Sequence, residues 1–203
     1  MQKRWIALAM TGLAMTSNNS NAADTSAKEK PALNEGNMTH GQEKDGRHDF
    51  DFLEGTYNVH NRRLRERLKG STEWIEFEAT NVSRGILGGL GNEDEYRTDF
   101  WPGYVGMAFR FFNPTTKRWA IYWADSKRGT LEPPVYGSFS DGRGEFEGDD
   151  TFDGKPIRVR FLWTKLDTPT PRWEQAFSAD SGKSWETNWV MDFRRDFERN
   201  SKR

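Results

Sequence analysis

Two glutamates near the C-terminal end of the chain, Glu174 and Glu186, are the residues best suited to proton transfer. A pair of carboxyl groups acts as general acid and general base when both reach the same substrate. Arg160 and Tyr122, on nearby predicted strands, would then bind a polar or anionic group of that substrate. These four residues define a hypothetical catalytic site of an isomerase or hydrolase acting on a small organic substrate. The sequence leaves open whether the protein is an enzyme.

The same group of polar residues allows two other interpretations. Arg110, Arg158 and Arg160, together with Tyr122, would clamp the carboxylate of a bound molecule. Alternatively, the polar residues form a solvated ladder of ion pairs outside the sheet, which contributes little to stability. The period-two alternation of the strands favours this second interpretation. The residues it assigns to the outer face are Arg158, Arg160, Glu174, Glu186 and Asn188.

Aromatic residues are unusually abundant, with nine Trp and 14 Phe in 203 residues. Rigid aromatic side chains combined with a polar group are typical of pockets for flat or apolar ligands. Residues 101–104 would form a loop at the mouth of such a pocket. An alternative is that the aromatic side chains fill the interior and leave no cavity. The predicted ligand-binding residues are Trp119, Trp123, Trp163, Trp173, Gln175 and Trp189.

The three histidines of the chain are His40, His48 and His60, and no metal-binding spacing unites them. Structural zinc sites place their ligands at short, regular spacings, and the chain contains no Cys. A haem would need an axial ligand, for which only His60 lies on a predicted strand. The sequence therefore predicts no metal site and no cofactor.

The strands that must position these residues are predicted from short segments in which apolar and polar residues alternate, separated by turn residues. Gly, Pro, Asn and Asp pairs between the segments are typical of tight turns. No helical segment is long enough for a parallel crossover, so successive strands are expected to pair antiparallel. Closure into a barrel removes the exposed edges that one flat sheet would leave. The predicted strands are 56–66, 72–84, 91–99, 104–112, 118–125, 135–140, 143–149, 156–164, 172–178 and 185–194.

The predicted fold class is therefore all-β, an antiparallel up-and-down barrel of about ten strands with a short N-terminal helical turn. The helical turn is expected at residues 49–55, capped by Asp49 and ended by Gly55. A β-sandwich and a propeller are the alternatives, in that order. Burying one large aromatic side chain stabilises by about 2–3 kcal/mol, more than a surface charge pair does. The face that carries Trp173, Phe177, Trp185, Trp189 and Met191 is therefore predicted to point inward.

Residues 178–185, SADSGKSW, match the Asp-box pattern S-x-D-x-G-x-S/T-W. In this pattern the Asp carboxylate accepts turn amides, a Gly adopts positive φ and the Trp packs beneath. Sialidases carry several copies of the box, but there it is a hairpin brace away from the active site. We interpret this single copy as a structural brace.

Charge and the N-terminal sequence indicate the compartment and the class of partner. Thirty basic and 31 acidic residues nearly cancel, which gives no field that favours nucleic acid. A basic start, the apolar residues 5–15 and small residues up to Ala22 predict a signal peptide. A periplasmic or secreted location is expected, without a membrane span. The predicted organisation is a signal peptide at 1–22, a disordered linker at 23–47, the barrel at 48–196 and a charged tail at 197–203.

Five sequence blocks together resemble a family of bacterial lipocalin-like proteins of unknown function. The blocks are HDFDFLEGTYNV, ILGGLGNEDEYR, FRFFNPTTKRWAIYWAD, GEFEGDDTFDGKPIRVRFLW and WEQAFSADSGKSWETNWVMDF. The resemblance covers about residues 48–195 and implies a lipocalin-like, calycin-type barrel. It implies no activity and no catalytic residues.

Three functional hypotheses follow from these observations. The first is an exported protein that binds a small apolar or aromatic molecule inside the barrel. The second is an enzyme that uses the carboxyl groups of Glu174 and Glu186 for catalysis. The third is an interaction domain that binds its partner through a sheet edge. The sequence does not identify the ligand or substrate, and it does not determine the oligomeric state.

Overall fold

The computed structural model of the protein describes residues 45–200. The predicted signal peptide at 1–22 and most of the predicted linker at 23–47 lie outside the described residues. The last residues of the predicted tail, 201–203, also lie outside them.

Ten strands make up most of residues 45–200. They are β1 (Gly55–Leu64), β2 (Trp74–Ile86), β3 (Gly91–Thr98), β4 (Tyr104–Asn113), β5 (Arg118–Asp125), β6 (Val135–Ser140), β7 (Arg143–Phe152), β8 (Lys155–Thr164), β9 (Arg172–Ser178) and β10 (Glu186–Arg195). Short 3-10 turns lie at Asp51–Leu53 and Leu87–Gly89, and one helical turn, α1, lies at Phe197–Asn200.

Each strand pairs antiparallel with the next along the chain, and β1 pairs with β10 to close the barrel. The closing register places Tyr57 opposite Arg195 and Arg63 opposite Trp189. Closure satisfies the backbone groups that would otherwise be left at two sheet edges. The predicted all-β, up-and-down barrel of about ten strands is confirmed. It agrees with the calycin-type barrel that the sequence resemblance implies.

The tight turns that join the strands use the residues expected from the sequence. Asp141 and Gly142 both have positive φ, 52° and 72°, and connect β6 to β7. Asp153 and Gly154 do the same between β7 and β8, at 50° and 74°. Turns with positive φ at both central positions match the right-handed twist of adjacent strands. The short links therefore determine that sequence neighbours become sheet neighbours.

One end of the barrel is closed by the segment that precedes β1. Phe50 and Leu53 are buried there, and the ring of Phe50 lies 4.9 Å from the rings of both Trp119 and Phe139. The Tyr57 hydroxyl donates to the Phe52 carbonyl at the same end. The predicted helical turn is thus present as a 3-10 turn. The predicted cap by Asp49 is wrong, because Phe50 holds the N-cap position and no side chain caps the turn.

The pairing between neighbouring strands is shortest between β5 and β6. Their register covers three residue pairs, from Trp119–Gly137 to Ile121–Val135, among the residues described. Beyond these pairs, the segment between the two strands crosses the gap, where the Glu132 amide donates to the Trp123 carbonyl. Because β5 and β6 separate after these three pairs, the open end of the barrel is wider on the side where β7 ends.

A β-bulge in β10 interrupts the alternation of its side chains. The pairing with β9 shifts between Thr187 and Trp189, which leaves Asn188 as the extra residue. One extra residue reverses the faces of everything before it. Asn188 is fully buried, although the sequence assigned it to the outer face. Trp185 was assigned to the interior, but its ring lies against the guanidinium of the outer-face residue Arg160, at 4.4 Å.

Candidate functional site

The interior of the barrel contains a cavity of about 380 Å³. All ten strands contribute to its lining, which includes Asn81, Ala108, Ile121, Phe161 and Phe193. Exposed residues near the end of β7 belong to the same lining, so the cavity reaches the surface there. Small-molecule pockets of proteins have volumes of about 300–1,000 Å³. The cavity is therefore large enough for a small organic molecule.

One side of the cavity is a wall of aromatic rings carried by β8 and β9. Phe161 and Trp173 lie 5.0 Å apart between ring centroids, and Trp163 lies 5.2 Å from Phe193. These side chains point inward because their positions alternate along each strand with outward polar residues. The spacing of their rings is that of favourable aromatic pairs. This wall offers a rigid apolar surface.

The opposite side of the cavity is polar and is carried by β2, β3 and β4. Arg110 forms an ion pair of 2.5 Å with Asp94, and both side chains are almost fully buried. The same guanidinium donates to Asn92 Oδ1 at 2.6 Å, and Asn92 donates to Ser83 Oγ at 2.8 Å. Asn81 lies beside this network, and its buried Oδ1 accepts no hydrogen bond from the described residues. The cavity thus has an apolar side and a polar side.

Asn61, on the inner face of β1, joins two aromatic side chains. Its Oδ1 accepts hydrogen bonds from the Tyr96 hydroxyl at 2.9 Å and from Trp189 Nε1 at 3.0 Å. Burial raises the pKa of Tyr96 far above its ordinary value, so this hydroxyl stays protonated and donates. The orientation of both rings is therefore determined by one buried amide.

Two arginines, Arg63 and Arg67, line the cavity near its open end. The Arg63 guanidinium lies 5.3 Å from the rings of both Trp101 and Trp189. Arg67 lies 4.5 Å from the Phe152 ring. Burial lowers the pKa of both side chains, and that of Arg67 falls to about 10 with a further contribution from the charge of Arg63. Two arginine side chains therefore lie near the open end of the cavity, whose lining also includes the carboxylates of Glu132, Asp149 and Asp150.

Four of the six predicted ligand-binding residues line the cavity, namely Trp123, Trp163, Trp173 and Gln175. Trp119 lies instead at the closed end, where its Nε1 donates to the Gly46 carbonyl at 3.1 Å. Trp189 packs beside the cavity against Trp173, with 5.9 Å between centroids. Gln175 donates to Asn188 Oδ1 at 2.9 Å, a contact that exists because the bulge turns Asn188 inward.

The four residues of the hypothetical catalytic site do not meet in one cleft. Arg160 and Glu174 occupy outward positions of β8 and β9, and Tyr122 packs against Phe111 on the outside of β5. Glu186 lies at the open end and accepts a hydrogen bond from the Leu68 amide at 2.7 Å. Its position opposite Phe177 places it on the inner side, where the sequence had placed it outside.

The predicted carboxylate clamp of Arg110, Arg158, Arg160 and Tyr122 is not assembled either. Arg110 already pairs with Asp94 inside the barrel. Arg158 pairs outside it with Glu147 at 2.8 Å, and Arg160 approaches Glu145 at 3.9 Å. The outward arginines thus belong to a ladder of partly exposed ion pairs, which was the alternative interpretation.

Sequence reasoning missed Arg63, Arg67, Asn61 and Asn81. The alternation of β1 contains a signal for two of them, because Asn61 and Arg63 share a face with the buried residues Tyr57 and Val59. A charged residue at an inward position is uncommon and points to a functional or paired group. No local pattern marks Arg67, which reaches the cavity from the loop after β1.

The histidines among the described residues lie on the surface. His48 contacts Asp51 at 2.9 Å and His60 contacts Glu78 at 2.7 Å. Within residues 45–200, no group of three or more His, Asp or Glu side chains is arranged to hold a metal ion.

The Asp-box residues form a hydrogen-bonded hairpin between β9 and β10. Asp180 accepts hydrogen bonds from the Ser184 hydroxyl at 2.6 Å and the Ser184 amide at 2.9 Å, and from the Ser178 hydroxyl at 2.7 Å. These donors, with Ser184 first, hold the pKa of Asp180 well below its ordinary value. Gly182 has φ 89°, and a Cβ at this position would lie 3.6 Å from the Trp185 ring. The geometry is that of a brace for the turn.

The fold and the site together define the class of protein: it is a closed antiparallel barrel with an internal, partly polar cavity. Comparison with protein-family models and with curated proteins found no match. No helix within residues 45–200 has the length and apolar character needed to cross a membrane.

Proposed function

We propose that the protein binds a small apolar or aromatic molecule inside the barrel. The observation that carries the proposal is the cavity of about 380 Å³ with its wall of Phe161, Trp163 and Trp173. Burial of apolar ligand surface against such a wall contributes about 25 cal/mol per Å². An interior filled by side chains would have offered no such surface.

The polar side of the cavity supports a ligand that also carries hydrogen-bonding groups. The free Oδ1 of Asn81 is available to a donor on the ligand, because it has no partner among residues 45–200. Buried polar atoms are rarely left without a partner, so the site favours a molecule or a water that supplies one. Gln175 provides a second polar contact on the aromatic side.

Titration with a neutral fluorescent naphthalene, N-phenyl-1-naphthylamine, tests the proposal directly. We expect saturable fluorescence enhancement at one site per chain. Ala108 lines the cavity, so Ala108→Phe would fill part of the space and weaken binding at least about tenfold. Met107→Phe is the matched control, because Met107 precedes it on β4 and faces outward. Equal binding by both variants, or no binding by the native protein, would overturn the proposal.

We also propose that the protein acts outside the cytoplasm, in the periplasm or after secretion. The basic start, the apolar residues 5–15 and the small residues before Ala23 support this location. Expression in a bacterial host should give a mature form, found in the periplasm or medium, whose N-terminal residue is Ala23. An uncleaved chain confined to the cytoplasm would contradict the location without affecting the ligand proposal.

A further inference from the structure

The four arginines that line the cavity differ in whether a carboxylate accompanies them. Arg110 pairs with Asp94 at 2.5 Å, and Arg128 pairs with Asp125 at 2.9 Å. Arg63 and Arg67 form no ion pair with any residue of the described range 45–200. In addition, the buried Nε of Arg63 has no hydrogen-bond partner there. Within the part of the chain that the structure describes, these two cations at one end of the cavity therefore have no anionic partner.

Aromatic side chains hold both of these arginines in place. The Arg63 guanidinium lies 5.3 Å from the rings of both Trp101 and Trp189, which themselves pack edge-on at 6.1 Å. Arg67 is 4.5 Å from Phe152 and 5.4 Å from Phe177. Cation–π contacts stabilise a guanidinium but leave its N–H groups free to donate in the plane. The two guanidinium groups are thus positioned in advance, with donors still available.

Glu132, Asp149 and Asp150 also line the cavity, but among the described residues none of these carboxylates forms an ion pair with Arg63 or Arg67. Both arginines are partly removed from water, and the charge of Arg63 is among the causes that lower the pKa of Arg67. The charges of Asp153 and Glu186 raise the pKa of Arg67, but both carboxylates lie farther away than an ion pair requires. Glu186 already accepts a hydrogen bond from the Leu68 amide. Two like charges in a partly desolvated site attract a carboxylate more strongly than they would in water.

We propose that the ligand carries a carboxylate, which binds Arg63 and Arg67 at the mouth while the apolar body lies along the wall of Trp163 and Trp173. This inference rests on the proposed function and narrows the ligand to an apolar or aromatic acid. Arg63 is the principal contact, because it projects from the inner face of β1 and has an unused buried Nε. Arg67 lies in the loop that follows β1 and lines the same end of the cavity.

The test compares acids with the alcohols of the same skeleton. Decanoate and 1-decanol form an aliphatic pair, and 2-naphthoate and 2-naphthalenemethanol form an aromatic pair. Each compound displaces N-phenyl-1-naphthylamine in a competition titration of the whole protein. Charge-assisted hydrogen bonds should make the acid of at least one pair bind about tenfold more tightly than its alcohol.

Variants at neighbouring positions assign this preference to the mouth. Arg63→Met and Arg67→Met should each reduce the ratio of acid affinity to alcohol affinity several-fold, with the reporter affinity of each variant measured first to calibrate the competition. Arg62→Met is the matched control, since Arg62 is the adjacent residue of β1 and lies over the exposed ring of Trp74 at 5.7 Å. It should leave the preference unchanged. Reporter binding also shows that each variant is folded.

The outcomes separate the two proposals. If the reporter binds but neither acid displaces it better than its alcohol, the carboxylate inference fails and the apolar binding function stands. The carboxylate inference also fails if the preference survives in both Arg63→Met and Arg67→Met. If the reporter does not bind the native protein, the binding function itself fails.

Discussion

Asp94 and Arg110 form an ion pair inside the barrel with side chains only 3% and 6% exposed. Replacing one partner of a buried pair leaves the other charge uncompensated, which costs about 3–5 kcal/mol. Asp94→Asn should therefore lower the free energy of unfolding, measured in urea, by about that amount.

The double variant Asp94→Leu with Arg110→Met should be far less destabilised, because two apolar side chains leave no charge to compensate. On the outer face of the same strand, Glu95→Gln removes the pair with Arg97 and is expected to change stability little. A loss below about 1 kcal/mol for Asp94→Asn would show that the pair is hydrated and not structurally important.

Phe50 closes one end of the barrel and is 2% exposed. Its ring packs edge-on against Trp119 and Phe139. Phe50→Ala should cost about 3–5 kcal/mol of unfolding free energy, because it removes buried apolar area and leaves a cavity. Phe52→Ala, two residues away and only partly buried, should cost clearly less. Equal losses in the two variants would mean that the closed end does not depend on this ring.

Gly137 faces Phe146 across the β6–β7 pair and leaves no space for a side chain. A Cβ at this position would lie 2.7 Å from the Cα of Phe146 and overlap the Glu145 carbonyl oxygen. Because the obstacle is backbone, Gly137→Ala must separate the strands, at a cost of at least about 2 kcal/mol. The adjacent, exposed Ser138→Ala is the control. A thermal melt equal to that of the native protein would contradict the strand geometry.

Asp180 makes the stability of the β9–β10 hairpin depend on pH. Its pKa in the folded protein is lower than in the unfolded chain, owing mainly to hydrogen bonds from Ser184. The contribution of Asp180 to the free energy of unfolding is therefore complete above its pKa in the unfolded chain, about 4. This contribution is lost as the pH falls through its pKa in the folded protein. The melting temperature of Asp180→Asn should lie below that of the native protein at neutral pH, and the difference should shrink in strong acid.

The exposed Asp141→Asn, in a hairpin where Asp141 accepts the neighbouring Ser140 hydroxyl, serves as the control for this pH series. It should show a smaller difference at neutral pH. A constant difference between Asp180→Asn and the native protein at all pH values would argue against the hydrogen-bonded carboxylate as the cause.

The strands could be predicted closely from the sequence alone. The ranges predicted for β5, β6 and β9 match the structure, and the other ends differ by at most three residues. Turn pairs such as Asp141–Gly142 limit each strand locally, and alternation identifies its buried face. Face assignment failed in β10 up to and including Asn188, because the bulge there arises from pairing with β9 and leaves no local signature in the sequence.

The candidate site was predictable only in part. The inward positions of Trp123, Trp163, Trp173 and Gln175 follow from strand period, which a single strand already contains. Whether inward side chains touch across the barrel or leave a cavity depends on the diameter and shear of the closed sheet.

The amino-acid sequence by itself determined the ten strands, their order and the aromatic interior, because these depend on interactions between near neighbours in the chain. Only the tertiary structure decided which polar groups pair inside. Asp94 forms an ion pair with Arg110, whereas Arg63 and Arg67 contact aromatic rings and form no ion pair within residues 45–200. The reason is physical: ion pairs and cavities depend on distances between side chains from different strands, and closure of the barrel fixes those distances.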